Sequence, residues 1–270
     1  MSMRFVTTSG LLALSGLTTS VVIAADGTPA DKPAEAAPPA PAPPPPGPPA
    51  PLSPPSEAAQ RGLVVFARYC ASCHGNDGDG RGPSARHFTA RATSFRPGIY
   101  KCRSTATGAL PTDEDLRRSV FDGLPGSGMP SFRALGPLQL GDVIEALKHF
   151  SPRFGREPQG PSLAVPPEAP NDQASVARGM QVFDRLKCAN CHGWRGEGGP
   201  GAAGIHNDDG TPAEATDFSR AQSLRCGDTA EHLYLTVMTG LDGTPMVSFA
   251  EVLGGTDAWD LVHYVQSVRR

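Results

Sequence analysis

The chain has 270 residues, with 24 Lys and Arg set against 27 Asp and Glu for a net charge of −3; this is a two-domain length, and it lacks the basic excess of a nucleic-acid binder. Leu, Ile, Val and Phe total 52, about 19% of the residues, just under the ~20% below which a highly charged chain stays unfolded. Because this chain is nearly neutral, disorder does not follow, and a further apolar group is expected to complete its cores.

Residues 1–25 carry one charge, Arg4, and then an apolar stretch from Leu11 that ends in Val22-Ile23-Ala24-Ala25. This reads as a secretory signal cleaved near Ala24 or Ala25. An N-terminal anchor is the alternative, since Phe5 to Ala25 spans 21 residues and about 20 cross a bilayer. Either route takes the remainder out of the cytoplasm, to a periplasmic or secreted location, with or without a membrane tether. Residues 26–56 hold 14 of the 29 prolines. With few backbone donors and little to bury, this segment is expected to be a disordered, polyproline-like linker.

Two pieces of similar sequence follow, a first domain at 57–155 and a second at 172–270, joined by a Pro-rich linker at 156–171. Arg61-Gly62 and Phe66 answer Arg178-Gly179 and Phe183; Ala92-Thr93-Ser94-Phe95 answers Ala215-Thr216-Asp217-Phe218; and Gly123-Leu124-Pro125-Gly126-Ser127-Gly128-Met129-Pro130-Ser131-Phe132 answers Gly240-Leu241-Asp242-Gly243-Thr244-Pro245-Met246-Val247-Ser248-Phe249. The apolar spacing predicts three helices in each copy. Ser56 caps the first, which runs to about Tyr69; its counterpart should bury Val176, Met180, Phe183 and Leu186. The middle helices start at Thr112, with Asp115 three residues on, and at Asp228, with Glu231 three residues on, the capping-box spacing. The last helices place Val143, Leu147 and Phe150, then Leu261, Val265 and Val268, on one face. No alternating strand pattern is present, so the fold class is all-α, with long Gly/Pro-rich loops.

Each copy contains one CxxCH: Cys70-Ala71-Ser72-Cys73-His74 and Cys188-Ala189-Asn190-Cys191-His192. At this spacing two thiols can add to the vinyl groups of one haem while the adjacent imidazole reaches the iron. A single four-cysteine zinc site is the structural alternative, and a thioredoxin-like dithiol would require a βαβ context. Met129 lies 55 residues after His74 and Met246 lies 54 after His192, in the same loop frame. They are the candidate second axial ligands, and a thioether there gives His/Met iron that is closed to substrate. Met180 and Met238 fall inside predicted helices and read as core. Pro83 and Pro200, in the glycine-rich stretches after each motif, are candidates to supply a carbonyl to the other imidazole nitrogen. His87, His149, His206, His232 and His263 have no counterpart in the other copy and read as surface or helix residues. Cys102 and Cys226 are left over, at nearly matching positions; they form a disulfide, remain buried thiols, or are redox-active.

These motifs make both halves resemble class I cytochrome c domains, and the tandem is similar to the dihaem cytochrome c4 kind. The resemblance rests on Cys70, Cys73, His74 and Met129, then Cys188, Cys191, His192 and Met246. It implies a small helical fold around each of two covalently bound haem c groups, with the first and last helices crossing glycine against aromatic. Gly179 and Tyr264 occupy those positions in the second domain, and Gly62 and Ala146 in the first. It also implies an electron carrier, with a redox protein donor and acceptor and no small-molecule substrate. The competing readings are a peroxidase-like dihaem enzyme and a fixed cytochrome subunit of a larger respiratory dehydrogenase or oxidase.

Overall fold

The computed structural model describes residues 53–88, 90–200, 204–220 and 224–269. The signal or anchor expected at 1–25 and most of the linker expected at 26–56 therefore lie outside the described residues. Among the described residues, no helix is long and apolar enough to cross a membrane.

Eight α-helices carry the described part of the fold. The first copy has α1 (Glu57–Tyr69), α2 (Ala71–His74), α3 (Asp113–Asp122) and α4 (Pro137–His149). The second has α5 (Gln173–Arg185), α6 (Ala189–His192), α7 (Ala230–Thr239) and α8 (Asp257–Ser267). The only sheet among the described residues pairs Gly199 with Ala215 and Pro200 with Glu214. Local chemistry sets most of the boundaries. Ser56 accepts a hydrogen bond from the Ala59 amide at 3.1 Å and starts α1, and Thr112 and Asp115 close a capping box at α3. In α7 the cap is Thr229, one residue past the expected Asp228; its hydroxyl accepts from the His232 amide at 3.1 Å. Thr229 is the true counterpart of Thr112, since each lies eleven residues before the glycine that opens the methionine loop.

The first and last helices of each copy cross where one of them has no side chain. A Cβ on Gly62 would stand 1.8 Å from the Asp142 carbonyl oxygen, and one on Gly179 would stand 1.8 Å from that of Asp260. At the crossing, Arg61 makes bonds of 2.9 and 2.7 Å to the Asp142 carboxylate, and Arg178 makes bonds of 2.7 and 2.9 Å to that of Asp260. This crossing also corrects one expectation. Phe183 is buried and Val176 and Leu186 pack half-buried against the core as expected, but Met180 is 52% exposed, and Ser175, Gly179 and Val182 complete the buried stripe of α5. Helix contact is centred on the glycine, which a hydrophobic count does not register. Met238 does join the core, as do Leu116, Val120, Leu233 and Val237 from the middle helices. His263 is a helix residue but not a surface one: it is wholly buried and shares hydrogen bonds with Ser175 at 2.6 Å and Glu168 at 3.2 Å.

The two copies are joined covalently. Cys102 and Cys226 form a disulfide with a Cα–Cα distance of 5.1 Å across 124 residues of chain, which decides among the three alternatives. The connector is pinned to both sides. Gly160 and Leu163 donate to the Leu110 and Ser104 carbonyls, and Leu163, Val165 and Ala169 pack against the second core.

Candidate functional site

Each CxxCH sits where a long helix passes into a one-turn helix. The Cys70 amide closes α1 onto the Phe66 carbonyl at 2.8 Å, and the His74 amide then bonds the Cys70 carbonyl at 2.9 Å. Cys188 and His192 repeat that second bond at 2.9 Å. Glycine must follow, because the chain reverses with φ +77° at Gly75 and +71° at Gly193, a region that side chains disfavour. The loop then returns, with Gly80 donating to His74 at 2.8 Å and Gly198 to His192 at 2.9 Å.

In the first copy Cys70, Cys73, His74 and Met129 line one cavity of about 420 Å³ with Phe66, Val120, Val143 and Leu147. That size lies within the roughly 300–1,000 Å³ of sites for organic ligands. Lys101 and Arg225 also line it, and the buried Tyr100 hydroxyl has no hydrogen-bond partner. An apolar cavity with two thiols, an imidazole, a thioether, two cations and an unpartnered hydroxyl fits a porphyrin that carries vinyl groups, an iron and two carboxylates. In the second copy Cys188, Cys191, His192 and Met246 occupy the corresponding positions of the repeat, and Cys188 packs on the core there.

Both imidazoles are oriented by the neighbouring chain. His74 Nδ1 donates to the Thr93 carbonyl at 2.9 Å and His192 Nδ1 to the Thr216 carbonyl at 3.3 Å. This replaces the expected Pro83 and Pro200. The first glycine-rich loop instead bonds back to the CxxCH helix, from Gly82 to Cys73 at 3.0 Å and from Ser84 to Ser72 at 2.7 Å, which leaves the ring edge to the Thr93 segment. The rings of Phe95 and Phe218 stack on His74 and His192 with centroids 4.7 and 4.4 Å apart. Burial pushes both histidines below the ordinary imidazole range, partly offset by their threonine carbonyls. With Nδ1 committed to the threonine carbonyl, Nε2 is the ring nitrogen left to ligate. The Ala-Thr-x-Phe repeat shows no role in the sequence itself; its recurrence after each CxxCH is the signal that marks it.

The first cysteine of each pair is half-buried and held as a neutral thiol. Burial, then the neighbouring cysteine of the pair, pushes Cys70 up to about 11, and burial also pushes Cys188 up to about 11. A redox-active CxxC lowers its thiol pKa instead, so the thioredoxin reading loses support. A shared zinc site also fails, because no group of three or more His, Cys, Asp or Glu converges among the described residues.

The methionine loops have the same internal wiring. Leu124 donates to the Met129 carbonyl at 3.1 Å, Ser127 Oγ to the Leu124 carbonyl at 2.6 Å, and the Met129 amide to Ser127 Oγ at 3.3 Å. Leu241, Thr244 and Met246 repeat these bonds at 2.9, 2.7 and 3.2 Å.

Comparison with known proteins shows the family. Residues 176–269 match the cytochrome c family model, and residues 57–145 match the model described as cytochrome c oxidase, cbb3-type, subunit III. A chain of the reducing HAO-like protein complex of Kuenenia stuttgartiensis is 34% identical, with a TM-score of 0.75, covering 82% of this chain and 100% of that one. No curated protein matches. The chain belongs to the c-type cytochromes, with two cytochrome c domains in tandem. Such domains carry covalently bound haem c, and Cys70/Cys73 and Cys188/Cys191 are the pairs that fit its attachment.

Proposed function

We propose that this protein is an exported dihaem electron carrier in which His74 and Met129 hold one iron and His192 and Met246 hold the other. The observation that carries the reading is the convergence of Cys70, Cys73, His74 and Met129 on one cavity, with the matched set in the second copy. Haem supplies a one-electron couple when bound. His74 and His192, fixed by Thr93 and Thr216 and backed by Phe95 and Phe218, present a neutral Nε2 in a set orientation. Met129 and Met246 would offer each iron a soft sulfur as a second protein ligand, which would raise its potential and close the metal. Lys101, Arg225 and Tyr100, which line the first cavity, would provide charge and hydrogen bonds for the carboxylates of the first group. Crossed helices and a disulfide hold these residues still as charge changes. The disulfide also supports an oxidising compartment, which for this chain is the periplasm or the exterior.

Two redox proteins, a donor and an acceptor, are the partners this chemistry calls for. The likeness of the first half to an oxidase subunit model and of the whole to a chain from a HAO-like complex favours a second reading, in which the same electron transfer occurs in a fixed complex. Two intact methionine loops weigh against a peroxidase-like enzyme. The test is to express the full chain in a host able to attach haem c, then to measure its mass and its spectra in both oxidation states. Two added haem masses and two low-spin centres are expected. A mass equal to the polypeptide alone, or resting high-spin iron, would refute the assignment. Purification in mild detergent separates a free carrier from a complex subunit.

A further inference from the structure

The two methionine loops match internally but differ in what supports them from outside. Arg103, fully buried, reaches from the first domain into the loop of the second. Its Nη2 donates to the Thr239 carbonyl at 2.9 Å and to Asp242 Oδ1 at 2.8 Å. Thr107 Oγ1 donates to the same Thr239 carbonyl at 2.9 Å, and the Gly108 amide donates to Asp242 Oδ2 at 3.0 Å. Asp242 lies four residues before Met246, and Thr239 ends α7 just ahead of the loop. A guanidinium at the carbonyl end of α7 also faces the negative end of that helix. These bonds therefore tie the base of the Met246 loop to the other domain.

The reciprocal brace is missing at the level of sequence. Cys102 answers Cys226, so Arg103 answers Gly227; Gly123 answers Gly240, so Asp242 answers Pro125. Where the second clamp would sit, the structure has a cavity of about 450 Å³ lined by Gly123, Leu124, Pro125 and Gly126 on one side and Arg225 and Gly227 on the other. The base of the Met129 loop thus borders open space at the same interface where the Met246 loop is held.

We infer that Arg103 and Asp242 are positioning residues that keep Met246 on the second iron, and that the Met129 loop, which among the described residues has no equivalent clamp from the other domain, is the one that swings away to admit an external ligand at the first iron. This rests on the His/Met reading proposed above. In such a swing the methionine sulfur leaves the iron and the incoming ligand takes its place, with no electron gained or lost. The protein is then asymmetric: one haem is sealed, and the other can be opened by a small diatomic ligand without unfolding.

The test titrates carbon monoxide into the reduced full-length holoprotein and follows the spectra of both haems. The unaltered protein is expected to bind about one equivalent first, and the Met246→Ala variant assigns the signal of the second haem. Asp242→Asn should let the second haem bind carbon monoxide at a concentration lower by about tenfold, a change of about 1.4 kcal/mol and within the reach of one charge-assisted hydrogen bond. Thr107→Val, a milder change that leaves no buried charge unpaired, should give a smaller shift in the same direction. Both variants must retain two haems and the disulfide by mass. First binding at the second haem of the unaltered protein, or an unchanged second-haem affinity in both variants, overturns the inference. A resting spectrum of Met246→Ala with no loss of low-spin signal refutes the ligand assignment instead, so the two failures are distinguishable.

Discussion

The crossing of α1 on α4 allows a sharp test because two glycine-to-alanine changes in the same domain should act in opposite directions. At Gly62 an added Cβ stands 1.8 Å from the Asp142 carbonyl oxygen, 2.5 Å from its carbon and 3.0 Å from Ala146 Cβ. Ordinary contact begins near 3.4 Å, so the helices must part by roughly 1.6 Å; the obstacle is backbone and cannot rotate aside. Overpacking costs about 1–3 kcal/mol, and a backbone clash belongs at the upper end. Alanine returns about 1 kcal/mol of helix propensity, which leaves a net loss of about 2 kcal/mol. For a domain of this size that is a fall in Tm of roughly 8–16 °C. Gly141 lies within α4 with nothing within 4 Å of an added Cβ, so Gly141→Ala collects the propensity term alone and should raise Tm by a few degrees. Thermal unfolding of the two holoproteins, followed by far-UV circular dichroism and by haem absorption, measures both. If Gly62→Ala melts at or above the unaltered protein while Gly141→Ala does not raise Tm, the close crossing is not what holds this domain together.

Other outcomes follow from the same contacts. Burial works to raise the Asp260 carboxyl, but hydrogen bonds from Arg178 and Ser175 outweigh it and hold the group below the usual carboxylate range. A depressed pKa stabilises the fold above the unfolded value near ~3.9 and is lost as pH falls through the folded value. Asp260→Asn should therefore be less stable at neutral pH and show a shallower loss of Tm below about pH 4, as melting across pH would record. Phe95→Ala removes a buried ring stacked on His74 and should cost about 3–5 kcal/mol in denaturant unfolding. Thr93→Val keeps the carbonyl that His74 uses and should leave the haem spectrum unchanged. Alkylation without reductant should leave Cys102 and Cys226 unmodified by mass. Replacing both with serine should lower the denaturant midpoint, with a loop-entropy ceiling of about 5 kcal/mol for the 124-residue separation.

Much of this protein could be read from its sequence because the decisive features are local or repeated. A CxxCH needs only five residues, and the capping of α1 and α3 needs four. The matched frames around Met129 and Met246 singled them out before any contact was known. What depends on which distant segments meet had to wait for the tertiary structure. The partners of the two imidazoles lie 19 and 24 residues downstream, so neighbouring prolines were the wrong choice. The buried stripe of α5 is organised by the absence of a side chain at Gly179, which no hydrophobic pattern counts. Even Arg61 and Asp142, repeated as Arg178 and Asp260, became a pair only once the helices crossed. The contrast between the clamped Met246 loop and the open border of the Met129 loop is written in the sequence as Arg103 against Gly227 and Asp242 against Pro125, but that Arg103 and Asp242 meet at all is decided only by the packing of the two copies against each other, fixed by Cys102 and Cys226.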